Sequence, residues 1–231
     1  DPSGTTSTAE YNTAFGTSAL DAITTGDRNT AIGRAALTDL SSSPDNTAVG
    51  AYAGEKVTTG NGENTFVGAF AGEEVSSGAY NTAVGYNAGG GASASASTAE
   101  YNTSVGYKAL EAVTTGDLNV AIGANALAAN TVGDRSVAIG HNALPNANPA
   151  SNADTYNVAI GLNAGYDLTT GVQNVLIGGV VADEITTGSN NVAIGYQAMN
   201  GGHTTADVDG CVAVGRLAGG SGTLTADAAG F

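Results

Sequence analysis

The chain is poor in several residue types, and each shortage excludes a class of protein. Its 231 residues include no tryptophan, one methionine, one cysteine and six lysines and arginines. The single cysteine, Cys211, excludes an internal disulfide. Six basic residues against 21 acidic ones are too few for a phosphate-binding surface, so we expect no nucleic-acid partner. No apolar run approaches the ~20 residues of a spanning helix, so we expect no membrane insertion.

The charge that the chain does carry is acidic. Its formal net charge is −15, although only 12% of its residues are charged. An acidic surface is typical of a soluble extracellular protein that must not aggregate. The chain begins at Asp1 and not at a methionine, which we interpret as processing or as a piece of a longer protein. These features predict an extracellular location, at a cell surface or on a virion.

A five-residue phrase, Asn-(Thr/Val)-Ala-(Ile/Val)-Gly, recurs about every seventeen residues. The closing glycines of its twelve copies are Gly16, Gly33, Gly50, Gly68, Gly85, Gly106, Gly123, Gly140, Gly161, Gly178, Gly195 and Gly215. Repeats of this length are typical of solenoids. We predict an all-β fold, a parallel β-solenoid of about 12 coils of 17–21 residues. It should form a single domain over residues 1–231, with repeats over about 12–219 and short terminal segments at 1–11 and 220–231.

Each copy alternates as a strand does. Residues three and one before the closing glycine are mostly β-branched and share one face of a strand, while the alanine between them lies on the other. We expect the β-branched pair to form the core, as with Val137 and Ile139 or Val158 and Ile160. A Thr-Thr-Gly element, first at residues 24–26, predicts a turn with a positive φ at its glycine. A helix is excluded because the apolar spacing is two and not 3.6.

The asparagine that opens each copy predicts a structural ladder. Stacked amides can hydrogen-bond along a solenoid axis and satisfy the backbone groups that a tight corner leaves open. The members of this asparagine ladder are Asn12, Asn29, Asn46, Asn64, Asn81, Asn102, Asn119, Asn157, Asn174 and Asn191. Ser136 and Cys211 take the same place in the other two copies. Two interpretations of Cys211 stand: a small buried residue of the ladder, or a reactive thiol that bridges two chains.

Departures from strict repetition bear on binding and assembly. Three insertions, at residues 89–101, 145–156 and 200–210, share one edge of the stack and predict a row of loops, the usual place of a solenoid's binding surface. The residue three before the glycine is threonine in the first six copies and valine in the last six, which indicates two ancestral halves. Residues 7–13 and 97–103 are identical, so we predict that the chain ends meet neighbouring copies.

The phrase Asn-Thr-Ala-Ile-Gly, followed by Ala-Leu or Ala-Gly and then Thr-Thr-Gly, resembles the repeats of bacteriophage tail fibres. It is also similar to the head repeats of trimeric autotransporter adhesins, which carry a Val-Ala-Ile-Gly core. The similarity covers residues 12 to about 219. It implies a left-handed parallel β-roll, three chains packed about an axis, and a role in surface attachment. The longer Thr-Thr-Gly limb departs from the shorter adhesin coil.

The sequence offers little for catalysis, and we predict that the protein is not an enzyme and holds no cofactor and no metal. His141 and His203 fall on different coils and are interpreted as solvated surface residues. The acid pairs at 73–74 and 183–184 are interpreted as solvated turn residues, with hydrolytic carboxylates as the alternative. Three aspartates that follow a turn glycine are candidate calcium ligands, although the dense repeats of calcium β-rolls are missing: Asp27, Asp117 and Asp134.

Tyrosines are the best candidates for a contact surface. Tyr86, Tyr107 and Tyr196 each follow a closing glycine. Exposed tyrosines in a row can stack on glycans or seal an interface between chains. We therefore take these three residues as candidate contacts, with packing between chains as the favoured interpretation.

The favoured function is an extracellular structural subunit of a fibre or filament, with surface attachment as its role. Its expected partners are copies of itself, in a homotrimer, a head-to-tail filament or both, and cell-surface glycans. The alternative is an ice- or glycan-binding solenoid. Ice binding would use the threonines of Thr-Thr-Gly, although adjacent threonines such as Thr24 and Thr25 point opposite ways in an extended strand. A polysaccharide-degrading enzyme is a third hypothesis, based on the acid pairs.

Overall fold

The computed structural model describes residues 7–60, 62–90, 96–200 and 208–220. The regular elements in these ranges are β-strands of two or three residues. They are β1 (Thr13–Phe15), β2 (Thr30–Ile32), β3 (Thr47–Val49), β4 (Thr65–Val67), β5 (Thr82–Val84), β6 (Thr103–Val105), β7 (Val120–Ile122), β8 (Gly133–Asp134), β9 (Val137–Ile139), β10 (Ala153–Asp154), β11 (Val158–Ile160), β12 (Val175–Ile177), β13 (Val192–Ile194) and β14 (Val212–Val214). Among the described residues there is no helical segment of the length and apolarity that a membrane span requires.

The chain forms two compact units, residues 1–115 (the first unit) and residues 116–231 (the second unit). In the first unit β1 to β6 lie side by side, parallel and in register, so that Thr13 pairs with Thr30. In the second unit β7, β9 and β11 to β14 repeat this arrangement, and β8 and β10 form a separate parallel pair. The predicted all-β parallel β-solenoid is confirmed. The boundary between the units coincides with the switch from threonine to valine copies.

The core lies on the face of the strands opposite to the one we predicted. The central alanine of each strand points inward, and Ala138 is 0% exposed. The flanking residues Val137, Ile139, Val158 and Ile160 point outward and are only half-buried. The prediction that these β-branched pairs form the core is therefore wrong. The reason is space, because the opposite limb of each coil already fills the layer beneath the strand.

The opposite limb supplies the large side chains of the core. Four of the five leucines that stand four residues after a closing glycine are 0–1% exposed: Leu37, Leu110, Leu127 and Leu144. They adopt the left-handed conformation, with φ of 50° at Leu37, which is uncommon for a residue with a bulky side chain. The Leu37 N–H donates to the Ala53 carbonyl oxygen of the next coil at 3.0 Å. Bonds of this kind between coils hold the leucines in this conformation, with their side chains in the core. The facing position on the strand then has room only for the methyl group of an alanine.

Where a coil departs from this pattern, large and small residues exchange places. Phe66 replaces the strand alanine of β4, and glycines replace the leucines on either side of it. A β-carbon at Gly72 would lie 2.4 Å from Phe66 Cδ1, and one at Gly54 would lie 2.8 Å from Phe66 Cδ2. In the second unit Gly165 makes room for Leu176, whose Cδ1 would be 2.7 Å from a β-carbon there. The exchange keeps the narrow core filled at native density.

The Thr-Thr-Gly glycines are required for a reason other than the one we predicted. Among the five of them, Gly26, Gly60, Gly116, Gly171 and Gly188, a positive φ occurs at Gly60 alone. A β-carbon at Gly171 would instead lie 2.1 Å from the carbonyl oxygen of Gly188. The prediction of a left-handed glycine is therefore wrong at four of these turns. The close approach of the neighbouring coil excludes any side chain there.

Candidate functional site: the outward face of the strands

The asparagine ladder lies inside the corner that precedes each strand. Asn12, on the first coil, is partly exposed, and the other nine members are at most 6% exposed. The amide oxygen accepts the backbone N–H of the same position in the next coil, at 2.7 Å from Asn12 to Asn29. In six members the amide nitrogen donates to a carbonyl oxygen fourteen residues further on, at 2.8 Å from Asn157 to Gly171. Each of these six asparagines thus joins its own coil to the turn that precedes the next ladder position.

The two substituted ladder positions are also buried. Ser136 Oγ lies 2.5 Å from Thr155 Oγ1, and that hydroxyl donates to the Asp134 carbonyl oxygen at 2.6 Å. Cys211 is 3% exposed, and its N–H donates to the Asn191 amide oxygen at 3.0 Å. Burial, followed by the charge of Asp209, raises the pKa of the Cys211 thiol. A protonated, enclosed thiol is a poor nucleophile, so the structure favours the small buried ladder residue.

The candidate calcium ligands accept backbone hydrogen bonds. Asp27 Oδ1 accepts the N–H of Glu10 at 2.7 Å, and Asp134 Oδ1 accepts the N–H of Asp117 at 2.8 Å. Asp209 Oδ1 accepts the N–H of Ser189 in the same manner, at 2.6 Å. In the described ranges no group of three or more His, Cys, Asp or Glu residues is arranged to hold a metal ion. Asp27, Asp134 and Asp209 therefore link their own coils to the preceding ones, in the direction opposite to the asparagine ladder.

The acid pairs occupy partly buried edges of the stack. Burial, then the charges of neighbouring glutamates, raises the pKa of Glu73, while Glu74 forms an ion pair with Lys56 at 2.7 Å. Burial also raises the pKa of Asp183, and its Oδ1 has no hydrogen-bond partner in the described part of the chain. Two internal cavities, one in each unit, measure about 10 Å³ each, which is about the space of one water molecule. Neither cavity could admit a sugar. His141 is exposed, and His203 lies outside the described residues.

The candidate tyrosines are half-exposed, and two of them contact each other. Tyr86 and Tyr107, at 46% and 51% exposure, stack with ring centroids 5.7 Å apart. The aromatic stack has two further members that sequence reasoning missed, Tyr52 and Phe70. Phe70 meets the Tyr86 ring edge to face at 5.6 Å and stacks on Tyr52 at 5.1 Å. Tyr52 and Phe70 come two residues after the glycine and not one, so the ordinary alignment of the copies separates them. Tyr196 belongs to the second unit and is 50% exposed.

The surface that sequence reasoning missed is the outward face of the strands. In the second unit this outer strip consists of the residues three and one before each closing glycine: Val120, Ile122, Val137, Ile139, Val158, Ile160, Val175, Ile177, Val192, Ile194, Val212 and Val214. They are half-buried or exposed; Ile194 is 36% exposed and Val212 74%. The strip is aliphatic throughout and contains no charge. The same alternation that we used to predict the core would have located it, with the two faces exchanged.

The borders of the outer strip extend its apolar character. Exposed apolar residues lie next to it, five before or one after a closing glycine: Leu118, Tyr156, Leu162 and Tyr196, at 45–53% exposure. No aspartate or glutamate occupies either border position in the second unit. On a chain of net charge −15 this face thus has few carboxylates: Asp154 lies beside it, paired with Arg135 and accepting the Tyr156 hydroxyl.

Comparisons with known proteins give no relative for the chain: no protein-family model, no curated protein and no solved structure matches it. Function must therefore be inferred from the geometry and charge of the chain itself.

Proposed function

We propose that the protein is an extracellular structural subunit of a fibre or filament, which associates with copies of itself and serves in surface attachment. The observation that carries this proposal is the uncharged, aliphatic outer strip of the second unit. Rows of exposed aliphatic side chains are unusual on a protein that stays alone in solution, and contiguous apolar patches mark interaction sites. A second copy of the chain is the occupant that we propose.

Charge favours this face for contact between like copies. Two like charges 4 Å apart repel by about 1 kcal/mol in water and by several times more near a protein surface. A contact between chains of net charge −15 must therefore keep its carboxylates apart. The strip and its borders in the second unit carry only two charged side chains, Arg135 and Arg216, and Arg135 is already paired with Asp154.

The size of the strip predicts a weak single contact. Seven extended residues span about 20 Å between their end Cα atoms, and six strands at ~4.8 Å stack to about 29 Å. Strip and borders thus cover roughly 500–600 Å² per copy, below the ~800 Å² of a standard interface. We expect micromolar association of isolated copies, strengthened when many contacts form along a fibre.

The proposed assemblies are a homotrimer with three strips facing one axis and a filament with chains stacked end to end. End-to-end stacking would place the β14 strand of one copy beside the β1 strand of the next. Phe15 on β1 is 75% exposed and Val214 on β14 is 64% exposed, because each has a described neighbouring strand on one side. Burying them would extend the parallel sheet across the junction.

Cell-surface glycans are the proposed target of attachment, with Tyr86, Tyr107 and Tyr196 as candidate contacts. Because Tyr86 and Tyr107 stack on each other, the ring faces they share are covered, while each residue remains about half-exposed. We therefore expect hydrogen bonds to a glycan from Tyr86, and not stacking of a sugar on its ring. A glycan array with the wild-type chain and with Tyr86→Phe tests this, because the variant keeps the stack and loses the hydroxyl.

Sedimentation velocity over a range of concentrations tests self-association. The wild-type chain should show a weight-average mass that rises with concentration. Ile160→Lys and Ile177→Lys place a charge in the middle of the outer strip and should keep the chain monomeric. Thr187→Lys is the matched control, because it adds the same charge at an exposed turn residue away from the strip. Association that survives both isoleucine substitutions in folded protein would refute contact through this face.

A further inference from the structure

The outward face of the first unit differs from that of the second by one row of hydroxyl groups. Six threonines stand three residues before the closing glycine: Thr13, Thr30, Thr47, Thr65, Thr82 and Thr103. Parallel pairing holds them in register from Thr13 beside Thr30 to Thr82 beside Thr103. Their hydroxyls therefore repeat at the strand spacing, ~4.8 Å.

In the part of the chain that the structure describes, no hydrogen bond to protein engages any of these six threonine hydroxyls. The turn threonines behave differently, since Thr24 Oγ1 donates to the Ser41 carbonyl oxygen and Thr169 Oγ1 to the Thr186 carbonyl oxygen, both at 2.9 Å. The first hydroxyl of these Thr-Thr-Gly turns is thus used in joining coils, whereas the strand hydroxyls are left for solvent.

A second row of apolar groups runs beside the hydroxyls, one residue before each closing glycine: Phe15, Ile32, Val49, Val67, Val84 and Val105. Neither row contains a charge. The strands that carry both rows are only three residues long, and each follows a corner that the asparagine ladder joins to its neighbours. The result is a narrow surface with a line of hydroxyls and a parallel line of apolar side chains.

We propose that this threonine strip, the two rows of the first unit, binds the surface of ice. Hydroxyls repeating at ~4.8 Å along a strand stack are close to the oxygen repeat on the prism faces of ice. Each hydroxyl can hold one water molecule, and the methyl groups beside it confine that water without competing for hydrogen bonds. Because the side chains are fixed before binding, little conformational entropy is lost at the surface. The inference does not depend on self-association by the second unit.

The borders of the threonine strip favour a hydrated ligand over a second copy of the chain. Arg28 and Asp45 form an exposed ion pair there at 2.6 Å, and Glu63 is exposed on the next coil. Packing another acidic chain over these groups would require stripping water from them. An ice surface leaves them hydrated, because its quasi-liquid edge supplies water on both sides of the strip.

The test is ice-recrystallisation inhibition and nanolitre osmometry on the whole chain. The wild-type protein should slow the growth of ice grains and shape a single ice crystal. Thr65→Lys, in the middle of the strip, should abolish both effects; Thr47→Lys, one coil away, serves if circular dichroism finds that the first variant has not folded. Thr187→Lys places the same charge at an exposed turn residue of the second unit, outside both strips, and should leave both ice effects unchanged.

Each outcome decides the question. Loss of activity in a folded variant of the threonine strip together with its retention in Thr187→Lys assigns ice binding to the threonine strip. A wild-type chain without effect on ice at its solubility limit overturns the proposal, whatever its state of association. Activity that survives the substitutions in the strip, or that is lost with Thr187→Lys, equally overturns it. The sedimentation experiment above is scored separately, so the two proposals can fail independently.

Discussion

Removal of one buried ladder amide, by Asn174→Ala, should cost a large part of the stability of the second unit. The Asn174 side chain makes four hydrogen bonds. Its nitrogen donates to the Asn157 amide oxygen at 3.2 Å and to the Gly188 carbonyl oxygen at 2.9 Å. Its oxygen accepts the backbone N–H and the side-chain amide of Asn191, at 3.0 Å and 3.1 Å. The residue is 1% exposed, so water cannot take its place without a rearrangement.

The size of the stability loss follows from the hydrogen-bonding groups that lose their partner. Alanine would leave the Asn191 N–H and the Gly188 carbonyl buried without a partner, and each such group costs about 1–3 kcal/mol. We therefore expect the free energy of unfolding to fall by about 4 kcal/mol, which is a large share of the 5–15 kcal/mol of a typical domain. Urea unfolding followed by far-ultraviolet circular dichroism measures the change as a shift of the transition midpoint.

The matched control is Asn12→Ala. Asn12 makes equivalent bonds, to the Asn29 N–H at 2.7 Å and the Gly26 carbonyl at 2.8 Å, but it is partly exposed on the first coil. Water can replace its amide, so we expect a loss of at most about 1 kcal/mol, the net value of an ordinary hydrogen bond. Equal losses in the two variants, or a loss below about 1 kcal/mol for Asn174→Ala, would contradict the role of burial in this reasoning.

Three further predictions concern packing and charge. Phe66→Ala should lower the free energy of unfolding by about 3–5 kcal/mol, and adding Gly72→Leu, which restores the usual alanine and leucine pair, should recover more than half of it in urea titrations. Gly188→Ala should cost about 1–3 kcal/mol through overpacking against the next coil, whereas Gly179→Ala, where a β-carbon has no contact closer than 3.5 Å, should be neutral in the same assay. Burial and neighbouring carboxylates raise the pKa of Glu73, so the fold favours the protonated side chain. This contribution to stability is present below the ordinary glutamate pKa and is lost as pH rises through the raised value. Glu73→Gln should therefore raise the melting temperature at pH 7 and not at pH 3, and a difference that grows on acidification would contradict this.

The coil, its strand and its turns could be predicted because twelve copies repeat them in register. Which strand face is inside could not, since alternation distinguishes two faces and does not say which one meets the opposite limb. That choice depends on leucines such as Leu37 adopting a left-handed backbone, which local sequence rarely signals. One clue was available: Phe66 replaces an alanine next to two coils in which glycine replaces leucine. Such an exchange indicates that the alanine and the leucine share the core.

The contact surfaces were harder to predict for the same reason. With the strand faces exchanged, the aliphatic and threonine rows were assigned to the interior and could not be considered as sites. The tyrosine stack was found in part, because Tyr86 and Tyr107 share a position in the repeat and Tyr52 does not. The aspartates that precede the ladder, such as Asp27, have the chemistry of calcium ligands. Only the position of the neighbouring backbone N–H groups gives them a different role.

The most direct measurement of the central claim, self-association into a fibre or filament, is negative-stain electron microscopy of the wild-type chain over a wide range of concentrations. We predict oligomers whose number and length increase with concentration and which disappear in Ile160→Lys. Isolated compact monomers at every concentration would contradict the claim.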